Sequence, residues 1–203
     1  YTIPTNCPYA YTLIFRWTAT DRCGNSKVHE QWVNYTWNLA PHLVNEADYA
    51  TELPRDIYGA QCNDVPIPEV LSAYDGCGNK LEVEFIEVRK EGSCINEYIL
   101  KRLWTATDAC GLTVSHHQTV HVVDRIPPVI KGVPADVTVE CGYLPARADV
   151  CSLDNCEGVT LTFEEKLVPG KHGCDYKVLR TWTAVDDCGN VAKSIQTIRV
   201  IET

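Results

Sequence analysis

The chain repeats itself, and this restricts its fold more than any other feature. The segment Phe15-Arg16-Trp17-Thr18-Ala19-Thr20-Asp21-Arg22-Cys23-Gly24-Asn25 returns as Leu103-Trp104-Thr105-Ala106-Thr107-Asp108-Ala109-Cys110-Gly111. It returns again as Thr181-Trp182-Thr183-Ala184-Val185-Asp186-Asp187-Cys188-Gly189-Asn190. Self-similarity at a fixed period marks stacked supersecondary units. A Gln-led apolar alternation follows each copy: Gln31-Trp32-Val33, Gln118-Thr119-Val120 and Gln196-Thr197-Ile198. The remaining pattern recurs twice. Pro54-Arg55-Asp56 leads to Cys62 as Pro134-Ala135-Asp136 leads to Cys141; Asp75-Gly76-Cys77-Gly78 matches Asp154-Asn155-Cys156-Glu157; Gly92-Ser93-Cys94 matches Gly173-Cys174. The chain therefore divides into a partial repeat over 1–45, holding only the last strands, and two full repeats of about 79 residues over 46–124 and 125–203. The joint Asp124-Arg125-Ile126-Pro127-Pro128 is short and stiff, because proline fixes φ and restrains its predecessor. The first joint, from Asn38 to Pro54, is longer and carries the acidic stretch Asn45-Glu46-Ala47-Asp48.

Each repeat reads as β. Tyr98 to Asp108 and Tyr176 to Asp186 are rich in aromatic and branched residues and contain no Gly or Pro. Val120, Val122, Ile198 and Val200 alternate with polar residues, the period of a half-buried strand. Turn residues (Asp-Gly, Cys-Gly-Asn, Pro-Gly) punctuate the chain every 8–15 positions, and no window has helical periodicity. About seven short strands per repeat predict an all-β fold of tandem antiparallel β-sandwiches. Trp17, Trp104 and Trp182 recur at one position and are read as core. Tyr98, Leu100, Arg102 and Trp104 share a parity, as do Tyr176, Val178, Arg180 and Trp182. An arginine on a core face calls either for a bulge that resets the phase or for an exposed Arg–Trp stack.

The pattern Trp-Thr-Ala-Thr-Asp-x-Cys-Gly-Asn, then a strand, then Asp-x-x-Pro-Pro, resembles the hyalin-repeat group of immunoglobulin-like modules. The resemblance covers nearly the whole chain, and its most specific piece is the Thr-Ala-Thr-Asp-x-Cys-Gly-Asn turn. The cysteine set is richer than in the plain hyalin repeat. The resemblance implies an extracellular or cell-surface, non-enzymatic spacer or adhesion module in a tandem array, and names no ligand.

Eleven cysteines are too many for an ordinary cytosolic domain and point to an oxidising compartment. Each full repeat has four in equivalent places, Cys62, Cys77, Cys94, Cys110 and Cys141, Cys156, Cys174, Cys188. Four cysteines allow three pairings. Cys94 and Cys110 flank one predicted strand and lie too far apart to bond. With the loop ends placed as in an immunoglobulin-like layout, the expected bonds are Cys62–Cys94, Cys77–Cys110, Cys141–Cys174 and Cys156–Cys188, each contributing about 2–4 kcal/mol. Cys7 corresponds to Cys94 and Cys23 to Cys110, so their partners belong to the absent part of the first repeat. Either upstream sequence or a neighbouring chain supplies that part. Cys151 has no equivalent; it is read as free, as a perturber of Cys156, or as a link to another chain.

A net charge of −9 argues against nucleic acid and against an anionic membrane surface. No run is long and apolar enough to span a bilayer. Tyr1 starts within the repeat pattern and no signal peptide precedes it, so the sequence is read as a mature product or an excised window. No Gly-x-Ser-x-Gly elbow or phosphate loop occurs, and with most thiols committed to disulfides no Cys/His nucleophile is expected; the chain is read as no enzyme. His29, His42, His116, His117, His121 and His172 are read as surface residues, since His117 and His121 lie about 13 Å apart along a strand and cannot share a metal. The turn aspartates Asp21, Asp75, Asp108, Asp154 and Asp186 offer two readings. They could help bind calcium, with Asp124 at the Pro-Pro joint the best single candidate, or they close Asx-turns; the turns are preferred and no cofactor is expected. Asn34-Tyr35-Thr36 is the one glycosylation sequon, with Asn34 facing solvent.

The function expected is a structural segment of an extracellular fibre, appendage or adhesin. Its partners would be copies of itself or adjacent repeats. A binding module gripping a glycan or a cell-surface protein is the alternative, suggested by the unequal loops Lys166–Cys174 and Val88–Cys94; a calcium-stiffened adhesin is a third.

Overall fold

The computed structural model describes residues 1–46, 52–171 and 173–202. His172 and the Ala47-Asp48 part of the acidic stretch lie outside the described residues. All regular structure among the described residues is β.

In the first repeat, β1 (Thr2–Pro4), β2 (Tyr11–Thr20) and β3 (Ser26–Tyr35) form one antiparallel sheet in that order. The middle repeat has β5 (Ile57–Gln61), β6 (Leu71–Tyr74), β7 (Lys80–Leu81), β8 (Glu84–Glu91), β9 (Tyr98–Thr107) and β10 (Thr113–Val123). It takes in β4 (His42–Asn45), which pairs with β6 although the sequence division at residue 45 assigns it to the partial repeat; the two sheets are ordered β5-β10-β9-β8 and β4-β6-β7. The third has β11 (Val129–Lys131), β12 (Val137–Glu140), β13 (Cys151–Leu153), β14 (Val159–Pro169), β15 (Tyr176–Asp186) and β16 (Val191–Ile201), in sheets ordered β12-β16-β15-β14 and β11-β13. Two sheets per full repeat is the sandwich expected from the strand count. The sheets are not wholly antiparallel: β5 runs parallel to β10, and β12 to β16. A parallel pair needs a long crossover, and here the rest of the repeat supplies it.

The alternation of burial along β15 accounts for its sequence. Val178, Arg180, Trp182, Ala184 and Asp186 all face inward, and Gln196, Ile198 and Val200 of β16 do the same. Trp104 and Trp182 are buried as expected, each against a phenylalanine of the neighbouring strand, Phe85 at 5.1 Å and Phe163 at 5.2 Å between ring centroids. Trp17 departs from the core reading. Sheet β1-β2-β3 has no facing sheet among the described residues, and Trp17 is 51% exposed.

The arginines resolve differently from both expected alternatives. Arg102 and Arg180 lie on the core face without a bulge or an exposed stack, each about 3% exposed. Arg102 Nε donates to Glu87 at 2.6 Å and Nη1 to Gln118 at 3.1 Å. Arg180 donates to Glu165 at 2.7 Å and to the carbonyls of Ala146 and Pro145 at 3.0 and 2.7 Å. A buried guanidinium is tolerated when its charge is paired and its donors are satisfied, and its planar fork can serve carboxylate and carbonyls together.

The chain forms two compact units that differ from the sequence repeats. One comprises Tyr1–Asp56, Ile67–Val88 and Lys101–Thr119; the other comprises Ile57–Pro66, Arg89–Leu100 and Val120–Thr203. The first is built on Leu43, Leu71, Ala73, Trp104 and Ala106. The second holds two apolar clusters, one on Leu100, Val120 and Val122 and one on Val178, Ile198 and Val200.

Candidate functional site

The recurring Asp-x-Cys-Gly segment folds into one local structure wherever it occurs. The aspartate Oδ1 accepts the backbone N–H of the residues two and four positions on: Cys23 and Asn25 on Asp21, Cys77 and Asn79 on Asp75, Cys110 and Leu112 on Asp108, and Cys188 and Asn190 on Asp186, all at 2.8–2.9 Å. The glycine has φ near +85° in each, which favours the residue without a Cβ. These are the Asx-turns of the sequence reading. Where asparagine follows, its Nδ2 also donates to Oδ2, and this side-chain bond is the main cause of the depressed pKa of Asp21 and Asp75. Each turn holds its cysteine in a fixed place.

That placement overturns most of the expected disulfides. Cys7 bonds Cys110, Cys62 bonds Cys156, and Cys94 bonds Cys188, with Cα separations of 4.2, 6.0 and 5.1 Å; Cys141 bonds Cys174. The expected Cys62–Cys94, Cys77–Cys110 and Cys156–Cys188 bonds do not form. Cys7 is bonded rather than orphaned, and Cys77 is a free thiol with Cys23 and Cys151, all three exposed. A short joint brings the end of one repeat against the Asx-turns of the next. At the second joint the first and third cysteines of the middle repeat, Cys62 and Cys94, thus meet Cys156 and Cys188 within bonding distance. Three of the four bonds join successive repeats, and Cys141–Cys174 alone of the four lies within one. Cys7–Cys110 and Cys94–Cys188 occupy equivalent places.

The second joint also gathers acid, all of it inside the second compact unit. Asp124, Asp154 and Asp186 each bring a carboxylate oxygen within 4.8 Å of the others. Asp124 is 2% and Asp186 5% exposed. Asn96 Nδ2 donates to Asp124 Oδ2 at 3.2 Å, and Cys156 N–H donates to Asp154 Oδ2 at 2.9 Å. Asn190 Nδ2 donates both to Asp186 Oδ2 and to the Asp124 carbonyl. Oδ1 of Asp124, Oδ1 of Asp154 and Oδ1 of Asn155 are buried without a partner. Burial, reinforced by the charges of Asp186 and Asp154 and opposed by the Asn96 hydrogen bond, pushes the Asp124 carboxyl above its ordinary value. Cys62 and Cys156 also approach Asp124, but as a disulfide they are no thiolate ligands.

The first joint, inside the first compact unit, is built differently. Trp37 stands in the sequence place of Asp124, Tyr9 in that of Asn96, and Gly76 in that of Asn155. Tyr9 Oη donates to Asp75 Oδ2 at 3.1 Å and accepts from Asn79, and Tyr9 packs on Trp37 at 5.0 Å. A Cβ on Gly76 would come within 2.9 Å of Trp37 and closer still to Leu39. Aromatic packing therefore fills this joint.

The remaining candidates are dispersed. Asn34 is exposed on β3, and its Oδ1 accepts from Thr12. His116 bonds the Pro54 carbonyl, and His29, His42 and His121 lie beside the rings of Trp17, Tyr74 and Tyr58. No histidine joins a potential metal group among the described residues. No helix of the described residues is long and apolar enough to cross a membrane.

No protein-family model matches the chain, and no curated protein matches it. Among solved structures, it is similar to extracellular cadherin domains 3–6 of protocadherin gamma B2, at 13% identity and a TM-score of 0.34, covering 96% of this chain and 57% of that one. It is similar to the protocadherin gamma B4 extracellular domain at 14% identity and a TM-score of 0.38, covering 95% and 37%. For Drosophila N-cadherin domains EC1-4 the values are 11% and 0.34, covering 95% and 58%. The chain thus spans less than two thirds of these proteins' lengths.

Proposed function

We propose that this chain is a non-enzymatic structural segment of an extracellular fibre or surface adhesin, in which each β-sandwich repeat is clamped covalently to the next. One observation carries the reading: the third cysteine of a repeat bonds the fourth of its successor twice over, as Cys7–Cys110 and Cys94–Cys188. Cys62–Cys156 adds a bond from first to second cysteine at the same joint as Cys94–Cys188. Such bonds persist outside the reducing cytosol. They would keep neighbouring repeats docked under tension, which suits a load-bearing spacer better than a freely hinged binding module. The bonds span 94 and 103 residues, and closing loops of that length stabilises by about 4–5 kcal/mol each in the chain-entropy picture.

The same rule gives the segment its partners. In an array continuing on either side, Cys77 pairs with a first cysteine and Cys23 with a third cysteine of preceding repeats. Cys141 and Cys174 then exchange their mutual bond for the second and fourth cysteines of a following repeat. Immunogold electron microscopy on the native source tests the function. Label along surface fibres or stalks supports the reading, whereas protein found only free in the medium refutes it.

A further inference from the structure

We propose that Asp124, Asp154 and Asp186 form a calcium site at the joint between the middle and third repeats, and that the first joint lacks one. Three carboxylates converge within 4.8 Å. Convergence of acids alone would be unremarkable, but this group includes a carboxylate that is almost wholly out of water and half unused. Asp124 is 2% exposed, and its Oδ1 has no hydrogen-bond partner. Oδ1 of Asp154 is also buried and unpartnered, and so is Oδ1 of Asn155, the residue between Asp154 and Cys156. Buried polar atoms are nearly always satisfied, and an exception calls for a missing ion or water. Like charges this close repel, so a single cation would relieve both the repulsion and the unfilled lone pairs.

The donor set selects the ion. It consists of oxygens, which suit a hard cation. No histidine belongs to it and the nearby sulfurs are bonded to each other, which removes the ligands zinc prefers. Calcium accepts six to eight oxygens in an irregular shell and takes water for those the protein lacks, whereas magnesium demands a near-ideal octahedron. Asp186 is pinned by two backbone N–H groups and by Asn190, which also holds the Asp124 carbonyl. The acids are therefore set in place beforehand by the Asx-turn and by the strand end.

The chain carries its own comparison. At the first joint Asp75 and Asp108 remain, but Trp37 replaces the third acid and Gly76 the amide oxygen. The Asp75 Oδ2 is already occupied by Tyr9 and Asn79. One calcium per chain is expected.

The test is calorimetric titration of the full oxidised chain with calcium chloride, paired with melting curves in EDTA and in calcium. Wild type should bind one equivalent and melt at higher temperature with calcium. Asp124→Asn and Asp154→Asn keep the shape and an acceptor oxygen, and each should weaken binding at least tenfold. Asp75→Asn, in the equivalent turn of the first joint, should leave affinity unchanged within threefold. Circular dichroism in EDTA verifies that each variant is folded. No binding by wild type at millimolar calcium overturns the proposal, as does affinity retained within threefold in either Asp124→Asn or Asp154→Asn. An equal loss in Asp75→Asn overturns its placement at the second joint.

Discussion

Removing the Cys94–Cys188 bond should change how far the chain can be pulled, by an amount the connectivity fixes. Held at its two ends, the oxidised chain transmits tension from residue 1 to Cys7, across to Cys110, back to Cys94, across to Cys188 and on to residue 203. That route is about 37 Cα steps, or about 130 Å at full extension, using about 3.5 Å per residue. The double variant Cys94→Ala/Cys188→Ala leaves Cys7–Cys110 and Cys141–Cys174 as the shortcuts and lengthens the route to about 66 steps, about 230 Å. Full reduction frees the whole chain, about 700 Å. Bonds confined within repeats, as Cys62–Cys94, Cys77–Cys110 and Cys141–Cys174, would instead give about 480 Å for the oxidised wild type. Single-molecule force spectroscopy with end handles reads these contour lengths directly. A wild-type contour near 480 Å, or one that the double variant leaves unchanged, refutes the cross-repeat connectivity.

Other perturbations probe the fold. Trp182→Ala should cost about 3–5 kcal/mol because the ring is fully buried, whereas Trp17→Ala, on the half-exposed face of β2, should cost under about 1 kcal/mol; urea melts compare them. Arg180→Ala orphans the carbonyls of Pro145 and Ala146 and should cost about 3 kcal/mol, while Glu165→Gln keeps an acceptor but takes the countercharge from a buried guanidinium and should cost about 1–3 kcal/mol. Asp21 and Asp75 have depressed folded pKa values. Their stabilisation is complete above the unfolded carboxylate pKa near 4 and is lost as pH falls through the lower folded value. Melting temperature should therefore drop with acidification below about pH 4, and the double variant Asp21→Asn/Asp75→Asn should flatten that fall.

The repeat, the strands and their inward residues could be read from one chain because they depend on local periodicity. The strand read from Tyr176 to Asp186 is β15, and the buried tryptophans 104 and 182 lie where the alternation put them. The Asx-turns were likewise legible, since Asp, Cys, Gly and Asn at fixed offsets define a turn by their own hydrogen bonds. What escaped depends on residues far apart in sequence. Nothing near Cys94 says that its partner belongs to the following repeat; only a short joint pressing one repeat end on the next brings Cys188 to it. Asp124, Asp154 and Asp186 are each calcium candidates in the sequence, but their convergence is hidden for the same reason. Asp124, Asp154 and Asp186 are spread over 63 residues, and a search for a compact acidic motif passes over them. A comparison of the two joints position by position, Trp37 against Asp124 and Gly76 against Asn155, was the available signal. Parity puts Arg102 and Arg180 on the core face, but their ion pairs reach across to β8 and β14, which periodicity along one strand cannot reveal.

The most direct measurement is disulfide mapping of the alkylated, unreduced chain by proteolysis and mass spectrometry. Linked peptides joining Cys7 to Cys110, Cys62 to Cys156 and Cys94 to Cys188 are the predicted result. Peptides joining Cys62 to Cys94, Cys77 to Cys110 and Cys156 to Cys188 would contradict the claim that neighbouring repeats are clamped to one another.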